Sequence, residues 1–387
     1  MNPNSSASLD RLSPGSTRTG TMKVVPSPAS LQRLAARPGE GPGTWIDYAT
    51  HPAYEPLIRS ASLKARLGAL LGFTRYLGVI LCKRLISYEL IPGHFRKPRS
   101  AAAVARLLVE AAGNALRNLA PWRPGALESA EASAVHQALN CDGVCVAQID
   151  AQQLAQIGAA AQPLYDGLRK ARGNRAEGGR DFDESRSYAL RTAHAELFAA
   201  VEATLTRSGI LDGVSAYIGR PASLIDVNPQ INDPSDDFWR RIFPDRPAAE
   251  HPVAYMHRDA TGGDIKAILY MCDVTPENGP FSYAIGSQKV HSGRVGDWIE
   301  QTNDQSSYSG TGPLNRRRFA ALPAILRRKC AFGNDVMAGT EISQRLLSAE
   351  WTITAPRGSM VLFDTKGFHR GGMVNRGERL VLTCVLG

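Results

Sequence analysis

The C-terminal part of the chain, from Tyr255 onward, consists of short apolar runs separated by turns rich in Gly, Pro and Asn. Residues 264–274 are mostly apolar, and the sequence Thr-Pro-Glu-Asn-Gly-Pro follows directly at 275–280. A last apolar run covers 379–386. Short strands divided by such turns are typical of antiparallel barrels and sandwiches. The pattern therefore predicts a mainly β domain with this part of the chain at its centre.

Helical periodicity precedes and interrupts the β pattern. Residues 151–170 and 184–207 carry apolar side chains at helical spacing, and we expect these helices to support one face of the β domain. Turn-and-strand patterns are predicted at 140–148 and 224–232. Residues 290–350 form a long, mostly helical insertion between two predicted strands. Long excursions of this kind often cover a binding site, so we expect a lid over the substrate.

The chain divides into three predicted parts. Residues 1–45 are rich in Ser, Pro, Gly, Thr and Arg, and this composition predicts a disordered tail. Residues 46–131 form a helical N-terminal segment that includes a predicted helix at 100–118. The catalytic domain is expected to occupy residues 132–387.

The helix predicted at 57–91 is basic and amphipathic. Between Leu57 and Tyr88 there are six Arg or Lys residues and no acidic residue. Such a helix can lie on an anionic membrane surface, or it can pack its apolar face on the catalytic domain. Both interpretations stay open at this point. Because residues 1–30 contain no apolar signal core, we expect a cytoplasmic protein, with peripheral membrane contact through this helix as the second possibility.

Composition narrows the choice of function. An apolar content of 43% and a charged content of 21% over 387 residues are typical of a globular protein with a large core. The net charge of +9 is spread widely, and no recognition helix or aromatic-studded strand is present, so we expect no nucleic-acid partner. A basic surface can instead attract an anionic substrate, or it can simply be solvated.

The most informative chemical pattern is His257-Arg258-Asp259 followed much later by His369. Residues i and i+2 of a strand point to the same side, so His257 and Asp259 can ligate one metal ion together. Two histidines and one carboxylate are the ligand set of mononuclear non-haem Fe(II) oxygenases, and they leave adjacent coordination sites open. Arg379 opens the last predicted strand, where its guanidinium can bind a carboxylate through two parallel hydrogen bonds.

These elements, in this order, resemble the phytanoyl-CoA dioxygenase family of Fe(II)/2-oxoglutarate oxygenases. The resemblance covers about residues 135–387 and depends on a shared series of motifs: His-x-Asp at 257–259, Asp-Val at 273–274, Asn-Gly-Pro at 278–280, Gly-Ser at 286–287, Phe-Asp at 363–364, His369 and Arg379. The fold that it implies is a double-stranded β-helix (a cupin-like jelly roll) with flanking helices. One departure is visible, because Gln288 stands where the family usually has the His of Gly-Ser-His.

The resemblance also implies the cofactors. Fe(II) would be held by His257, Asp259 and His369, and 2-oxoglutarate would chelate the iron while Arg379 binds its distal carboxylate. Lys266 is a further candidate for a cofactor carboxylate contact, because it shares a strand face with Ile268 and Tyr270. Gln230 and Asn232 are candidates for substrate contact. Dioxygen would be the second co-substrate, and 2-oxoglutarate would be converted to succinate and CO2.

The reaction expected from the resemblance is hydroxylation. Halogenating relatives lack the carboxylate ligand, whereas this chain keeps Asp259. The substrate is expected to be a small molecule or an acyl or lipid group. Two other hypotheses stay open: a metal-dependent jelly-roll enzyme that does not use 2-oxoglutarate, and a jelly-roll binding protein without catalytic activity.

Overall fold

Two antiparallel sheets organise the protein. The computed structural model describes residues 23–34, 45–85, 129–173, 194–234, 256–259, 265–290, 293–303 and 312–387, together with Val109, Gly113 and Leu127. Its strands are β1 Lys23–Val25, β2 Val144–Gln148, β3 Leu224–Asn232, β4 Ile265–Tyr270, β5 Phe281–Ala284, β6 Glu350–Ile353, β7 Ser359–Asp364, β8 His369–Arg370 and β9 Arg379–Leu386.

The helices surround these sheets, and two further short segments are 3-10 helices, at Ser287–Lys289 and Gly333–Asp335. The α-helices are α1 Glu55–Ser60, α2 Leu63–Leu85, α3 Ala130–Asp142, α4 Ala151–Gly173, α5 Ala195–Arg207, α6 Ile210–Ile218, α7 Gly293–Thr302, α8 Gly312–Ala321, α9 Ala324–Arg327 and α10 Glu341–Ser348.

The strand order is that of a jelly roll. The larger sheet runs β1-β2-β7-β4-β9-β3 and the smaller runs β6-β5-β8, with neighbouring strands antiparallel throughout. Residues 256–259 extend the smaller sheet, because His257 forms an isolated bridge with His369 of β8. Strands far apart in sequence are therefore neighbours in space. The predicted double-stranded β-helix is confirmed.

The larger sheet is buried on both faces. On the outer face Ala267, Leu269, Leu362 and Leu382 pack with apolar side chains of α3 to α6 in one core cluster. The inner-facing side chains that alternate with them, such as Val361, belong to a second cluster that extends to the smaller sheet and the insertion. Any polar side chain on the inner face is therefore enclosed between the two sheets.

The predicted helices are largely confirmed. Helix α4 covers the prediction at 151–170, and α5 covers 195–207 of the prediction at 184–207, whose first part lies outside the described residues. The insertion at 290–350 contains four helices, α7 to α10, between β5 and β6. The helix predicted at 100–118 lies outside the described residues, except for Val109 and Gly113.

The predicted disordered tail at 1–45 is wrong for residues 23–34 and for Trp45, which is buried in the core. Strand β1 pairs with β2, and Ser27 and Arg33 both donate hydrogen bonds to the buried carboxylate of Asp142. The backbone N–H of Leu34 donates to the carbonyl of Ile285 at 2.8 Å. The polar composition of this segment gives no indication of the short strand, because the residues that pair with it lie more than a hundred positions away in the chain. Residues 1–22 and 35–44 lie outside the described residues.

The segment predicted at 46–131 does not form a core of its own where the structure describes it. Tyr48 and Tyr54 pack edge-to-face on Phe319 of α8, with ring centroids 4.7 and 5.6 Å apart. The hydroxyl of Tyr54 donates to Asp335 at 2.5 Å, and both residues are buried. The segment therefore shares one core with the insertion and with the inner side of the jelly roll.

The helix predicted at 57–91 is observed as two helices, α1 and α2, with residues 86–91 outside the described part. Ala69 and Phe73 of α2 are buried in the core cluster, and α2 packs against α7 and α8. The packing interpretation is thus confirmed for this face of the helix. Among the described residues, no helix combines the length and the apolar character that crossing a membrane requires.

Trp45 gives a direct test of the shared core. It is buried, and its indole stacks on Phe368 with ring centroids 5.5 Å apart. We expect Trp45→Ala to lower the free energy of unfolding by about 3–5 kcal/mol, because it removes a large buried aromatic group. The measurement is urea denaturation followed by circular dichroism.

Leu63→Ala is the control, since Leu63 is 74% exposed and its truncation should change the free energy of unfolding by no more than about 0.5 kcal/mol. Equal unfolding midpoints for the two variants would show that the N-terminal segment does not contribute to the stability of the domain.

Candidate metal centre and anion site

Two backbone segments carry the three candidate ligands, and they are hydrogen bonded to each other. The N–H of His257 donates to the carbonyl of His369, and the N–H of His369 donates to the carbonyl of His257, both at 2.9 Å. The N–H of Asp259 donates to the carbonyl of Thr365 at 3.1 Å. This pairing sets the relative position of the segments before any side chain is considered.

The side chains of His257, Asp259 and His369 converge on one point. Nε2 of His257 lies 3.9 Å from Oδ1 of Asp259, and Nε2 of His369 lies 3.6 Å from Oδ2. One donor atom from each residue lies within 4.8 Å of the others. Metal bonds from imidazole nitrogen and carboxylate oxygen are about 2 Å long, so two donors of one ion lie at most about 4 Å apart, and both histidine–carboxylate distances are within this limit. The triad therefore fits a divalent metal ion.

The orientation of His369 supports a ligand role. Its Nδ1 lies 2.9 Å from the carbonyl of Gly367, which can only accept a hydrogen bond, so the proton belongs on Nδ1. Nε2, on the side of Asp259, then carries the free lone pair. A side chain at 367 would overlap the hydroxyl of Tyr283, so this close approach requires glycine.

Asp259 also forms an ion pair with a lysine that is not one of the candidate metal ligands. Nζ of Lys266 donates to Oδ2 of Asp259 at 2.7 Å. Burial raises the pKa of Asp259, but the positive charge of Lys266, together with the neighbouring imidazoles of His369 and His257, outweighs burial and holds the pKa well below its usual range. The carboxylate is therefore ionised at neutral pH, as a metal ligand must be.

Arg258 lies between the two ligands in sequence and points away from them. Its guanidinium lies over the ring of Phe368, 4.2 Å from the centroid, and 3.6 Å from a carboxylate oxygen of Glu300 in α7. Trp45 stacks on the same Phe368 ring. The N-terminal segment and the insertion thus both contact residues adjacent to the ligands. The sequence predicts neither of these contacts. The strand alternation at 257–259 indicates only that Arg258 faces away from the two ligands.

Arg379 is buried on the inner face of the larger sheet. The next residue, Leu380, faces the helices, whereas Val381 belongs to the inner cluster. Since side chains alternate along a strand, Arg379 lies on the same inner face as Val381. Val381 pairs with Tyr270 of β4, and Tyr270 shares its strand face with Lys266. Arg379 and Lys266 therefore lie on the same inner face, which also carries the Asp259 contact.

The guanidinium of Arg379 lacks partners for two of its nitrogens. Nε and Nη1 are buried and have no hydrogen-bond partner among the described residues. Burial lowers the pKa of Arg379, although the neighbouring Tyr270 and Cys272 act in the opposite direction. Asn232 is paired directly with Arg379 across β3 and β9, and its buried Nδ2 also has no partner in the described part. Together these donors form a site that suits an anion.

The rival candidates have other roles or lie outside the described residues. Arg370 forms two hydrogen bonds with the carboxylate of Glu350, at 2.8 and 2.9 Å, and Arg376 is exposed. Nε2 of Gln288 donates to the carbonyl of Leu139, so the residue that replaces the expected histidine holds α3 in place. Gln230 pairs with Val381 and so shares the face of Arg379. His251 and His291 lie outside the described residues.

Known proteins were compared with the chain in three ways. The family model described as phytanoyl-CoA dioxygenase matches residues 139–379. No curated protein matches the sequence significantly. Structural matches include the epimerase SnoN in complex with Fe3+, alpha ketoglutarate and nogalamycin RO (12% identity, 66% of this chain and 83% of that chain, TM-score 0.39) and EctD from S. alaskensis with bound Fe (16% identity, 70% and 82%, TM-score 0.37).

AviO1 from Streptomyces viridochromogenes Tue57 also matches, with 14% identity over 66% of this chain and 94% of that chain, at a TM-score of 0.37. The family model covers well over half of the sequence and includes every residue of the candidate metal centre. The chain belongs to the phytanoyl-CoA dioxygenase family.

Proposed function

We propose that the protein is an Fe(II)/2-oxoglutarate-dependent oxygenase in which His257, Asp259 and His369 hold the iron. Arg379 binds the distal carboxylate of 2-oxoglutarate, and Lys266 contributes a second positive charge. The observation that carries the proposal is the buried guanidinium with unpartnered nitrogens on the inner face of the larger sheet, the face that also carries Lys266, the partner of Asp259. A metal site alone would not require this second, anionic ligand.

The energetic argument for an anionic ligand is direct. A buried charged group without partners costs several kcal/mol, and arginine cannot escape this cost by losing its proton. A carboxylate that accepts two parallel hydrogen bonds from Arg379 offsets the cost and is itself held in one orientation. The unpartnered Nδ2 of Asn232, opposite Arg379, supplies a further donor on the same face.

When bound, Fe(II) and 2-oxoglutarate supply the oxidising chemistry: the oxo acid loses CO2 and becomes succinate, one atom of dioxygen enters succinate, and the other oxidises the substrate. The chain's own residues position the reactants. Gly367 keeps the Nδ1 proton of His369 away from the metal side, and Lys266 keeps Asp259 ionised. Phe281 and Phe363 pack around the His369 ring and exclude water from this side of the site.

Hydroxylation is the outcome that we propose for the substrate, because the carboxylate of Asp259 is retained at the position that halogenating relatives leave open. The substrate is proposed to be a small molecule or an acyl or lipid group, covered by the insertion at 290–350. The contact of Glu300 with Arg258 supports this covering role, since it joins α7 of the insertion to the ligand-bearing segment.

Arg379→Ala tests the cofactor assignment. Anaerobic titration of the Fe(II)-loaded protein with 2-oxoglutarate is followed through the visible charge-transfer band of the complex. Each charge-assisted hydrogen bond contributes about 1.5–3 kcal/mol, so loss of two should weaken 2-oxoglutarate binding by at least about a hundredfold. Exposed Arg376→Ala is the matched control and should bind as the wild type does.

A wild-type protein that holds iron but shows neither the band nor succinate formation would remove 2-oxoglutarate from the proposal. A metal-dependent enzyme without this co-substrate would then be the better interpretation. A protein that binds neither iron nor 2-oxoglutarate would favour the non-catalytic binding protein.

Asp259→Ala tests the metal centre without any turnover. Removing one of three ligands should weaken Fe(II) binding by at least roughly a hundredfold, since even partners outside the ligand set change metal affinity by about 10–100-fold. Isothermal titration under anaerobic conditions measures this affinity. Asp273→Ala removes an exposed carboxylate and is the control. Unchanged Fe(II) affinity in Asp259→Ala would place the metal elsewhere.

Lys266→Met separates two possible roles of this lysine. If Lys266 contacts 2-oxoglutarate, the variant should bind the co-substrate about tenfold more weakly, because one charge-assisted hydrogen bond is lost. Fe(II) affinity should not fall, since the removed cation repels the metal ion. The same two titrations measure both quantities. Weaker Fe(II) binding with unchanged 2-oxoglutarate binding would instead show that Lys266 only positions Asp259.

A further inference from the structure

Helix α2 has an apolar strip that its packing against the core leaves uncovered. Ala69 and Phe73 face inward, whereas Leu63, Leu67 and Leu71 are 74%, 53% and 69% exposed. The spacing of four residues places these leucines on one strip of the helix, and their offset of two residues from Ala69 and Phe73 puts the strip roughly opposite the buried face. The exposure is therefore a property of one helix face and not of scattered single residues.

Exposed cations continue this strip. Arg75 follows Leu71 by one helical turn, and Lys64 lies beside Leu67 and Leu71 at spacings of three and seven residues. The sequence from 56 to 85 contains no acidic residue. Glu55, immediately before it, is paired with Arg59 at 2.5 Å. The helix thus presents leucine side chains bordered by positive charge.

The insertion adds a second acid-free segment beside α2. Helix α8 packs against α2, and residues 312–334 contain no Asp or Glu. Leu314 and Ile325 are exposed there, at 47% and 71%. Four cations in this segment are also exposed: Arg317, Arg318, Arg328 and Lys329.

Helix α7 packs against both α2 and α9, so the two segments lie close in space. Burial lowers the pKa of Arg327 in α9, and the charges of Arg66 in α2 and of Arg328 lower it further, whereas Asp47 acts in the opposite direction. Like charges gathered at one surface repel each other, and that repulsion is relieved when an anionic surface approaches. The leucines and Ile325 would at the same time leave water.

We propose that the surface formed by α2, α8 and α9 docks on an anionic phospholipid membrane, with the exposed leucines and Ile325 entering the interface. The chemistry of the surface favours a membrane over other partners. Phosphate headgroups match the exposed cations of the two segments, and the acyl boundary matches the branched apolar side chains. Nucleic acid would use the cations but not the apolar strip, and a second copy of this surface would bring like charges together.

The test is co-sedimentation of the full chain with vesicles of phosphatidylcholine alone and of phosphatidylcholine with 30% phosphatidylglycerol. We expect binding only to the anionic vesicles, and weaker binding as salt is raised. Leu67→Gln/Leu71→Gln and Arg317→Glu/Arg318→Glu should each weaken binding by about tenfold or more, because one removes apolar contact and the other reverses two charges.

Matched controls are placed on other parts of the surface. Met337→Gln/Leu347→Gln changes two exposed apolar residues outside the proposed surface, and Arg207→Glu/Arg220→Glu makes the same change of charge on the helices behind the larger sheet. Both should bind vesicles as the wild type does. All these positions are exposed, so thermal unfolding should be nearly unchanged and verifies that each variant is folded.

Three results would overturn the proposal. The first is equal sedimentation of the wild type with both kinds of vesicle, or with neither. The second is a dimer in sedimentation velocity that Leu67→Gln/Leu71→Gln dissociates, which would assign the surface to a second copy. The third is a Leu67→Cys thiol that a water-soluble maleimide labels equally fast with and without anionic vesicles, which would show that the strip does not enter the membrane interface.

Discussion

The reciprocal hydrogen bonds between the backbones of His257 and His369 are the constraint on which the candidate site depends. His369 lies in β8, which also pairs with β5, and these hydrogen bonds attach the short segment of His257 to the free side of β8. Because the pairing is antiparallel, the side chains of the paired residues lie on the same side. His257, Asp259 and His369 then converge without strain, and the glycine at 367 allows Tyr283 to pack against the returning chain.

The balance of charge inside the jelly roll points to the same chemistry as the ligand geometry. Asp259 is paired with Lys266, and the second cation, Arg379, is buried farther along the same face. Such an interior carries more positive than negative charge, and a dicarboxylate co-substrate would correct this excess. The requirement for an anion therefore comes from the protein, in addition to the family to which the chain belongs.

The N-terminal segment and the insertion cannot be separated from the catalytic centre. Trp45 and Glu300 come from these two regions, and both contact the layer formed by Phe368 and Arg258, directly behind the metal ligands. Side chains behind a ligand fix its orientation, so changes in either region can reach the site through this layer. The leucine strip of α2 lies on the opposite side of the same packed unit, where it remains exposed.

The sequence alone determined the element types and the candidate ligands, because strand alternation, turn composition and His-x-Asp spacing are local patterns. It predicted β4, β9, α4 and the residues of the candidate metal triad. Only the tertiary structure decided that residues 23–34 join the sheet through Asp142, that Lys266 contacts Asp259, and that Arg379 and Asn232 face each other. These contacts join residues on separate strands and loops, and long-range pairing leaves no periodic signal in the segments that it joins.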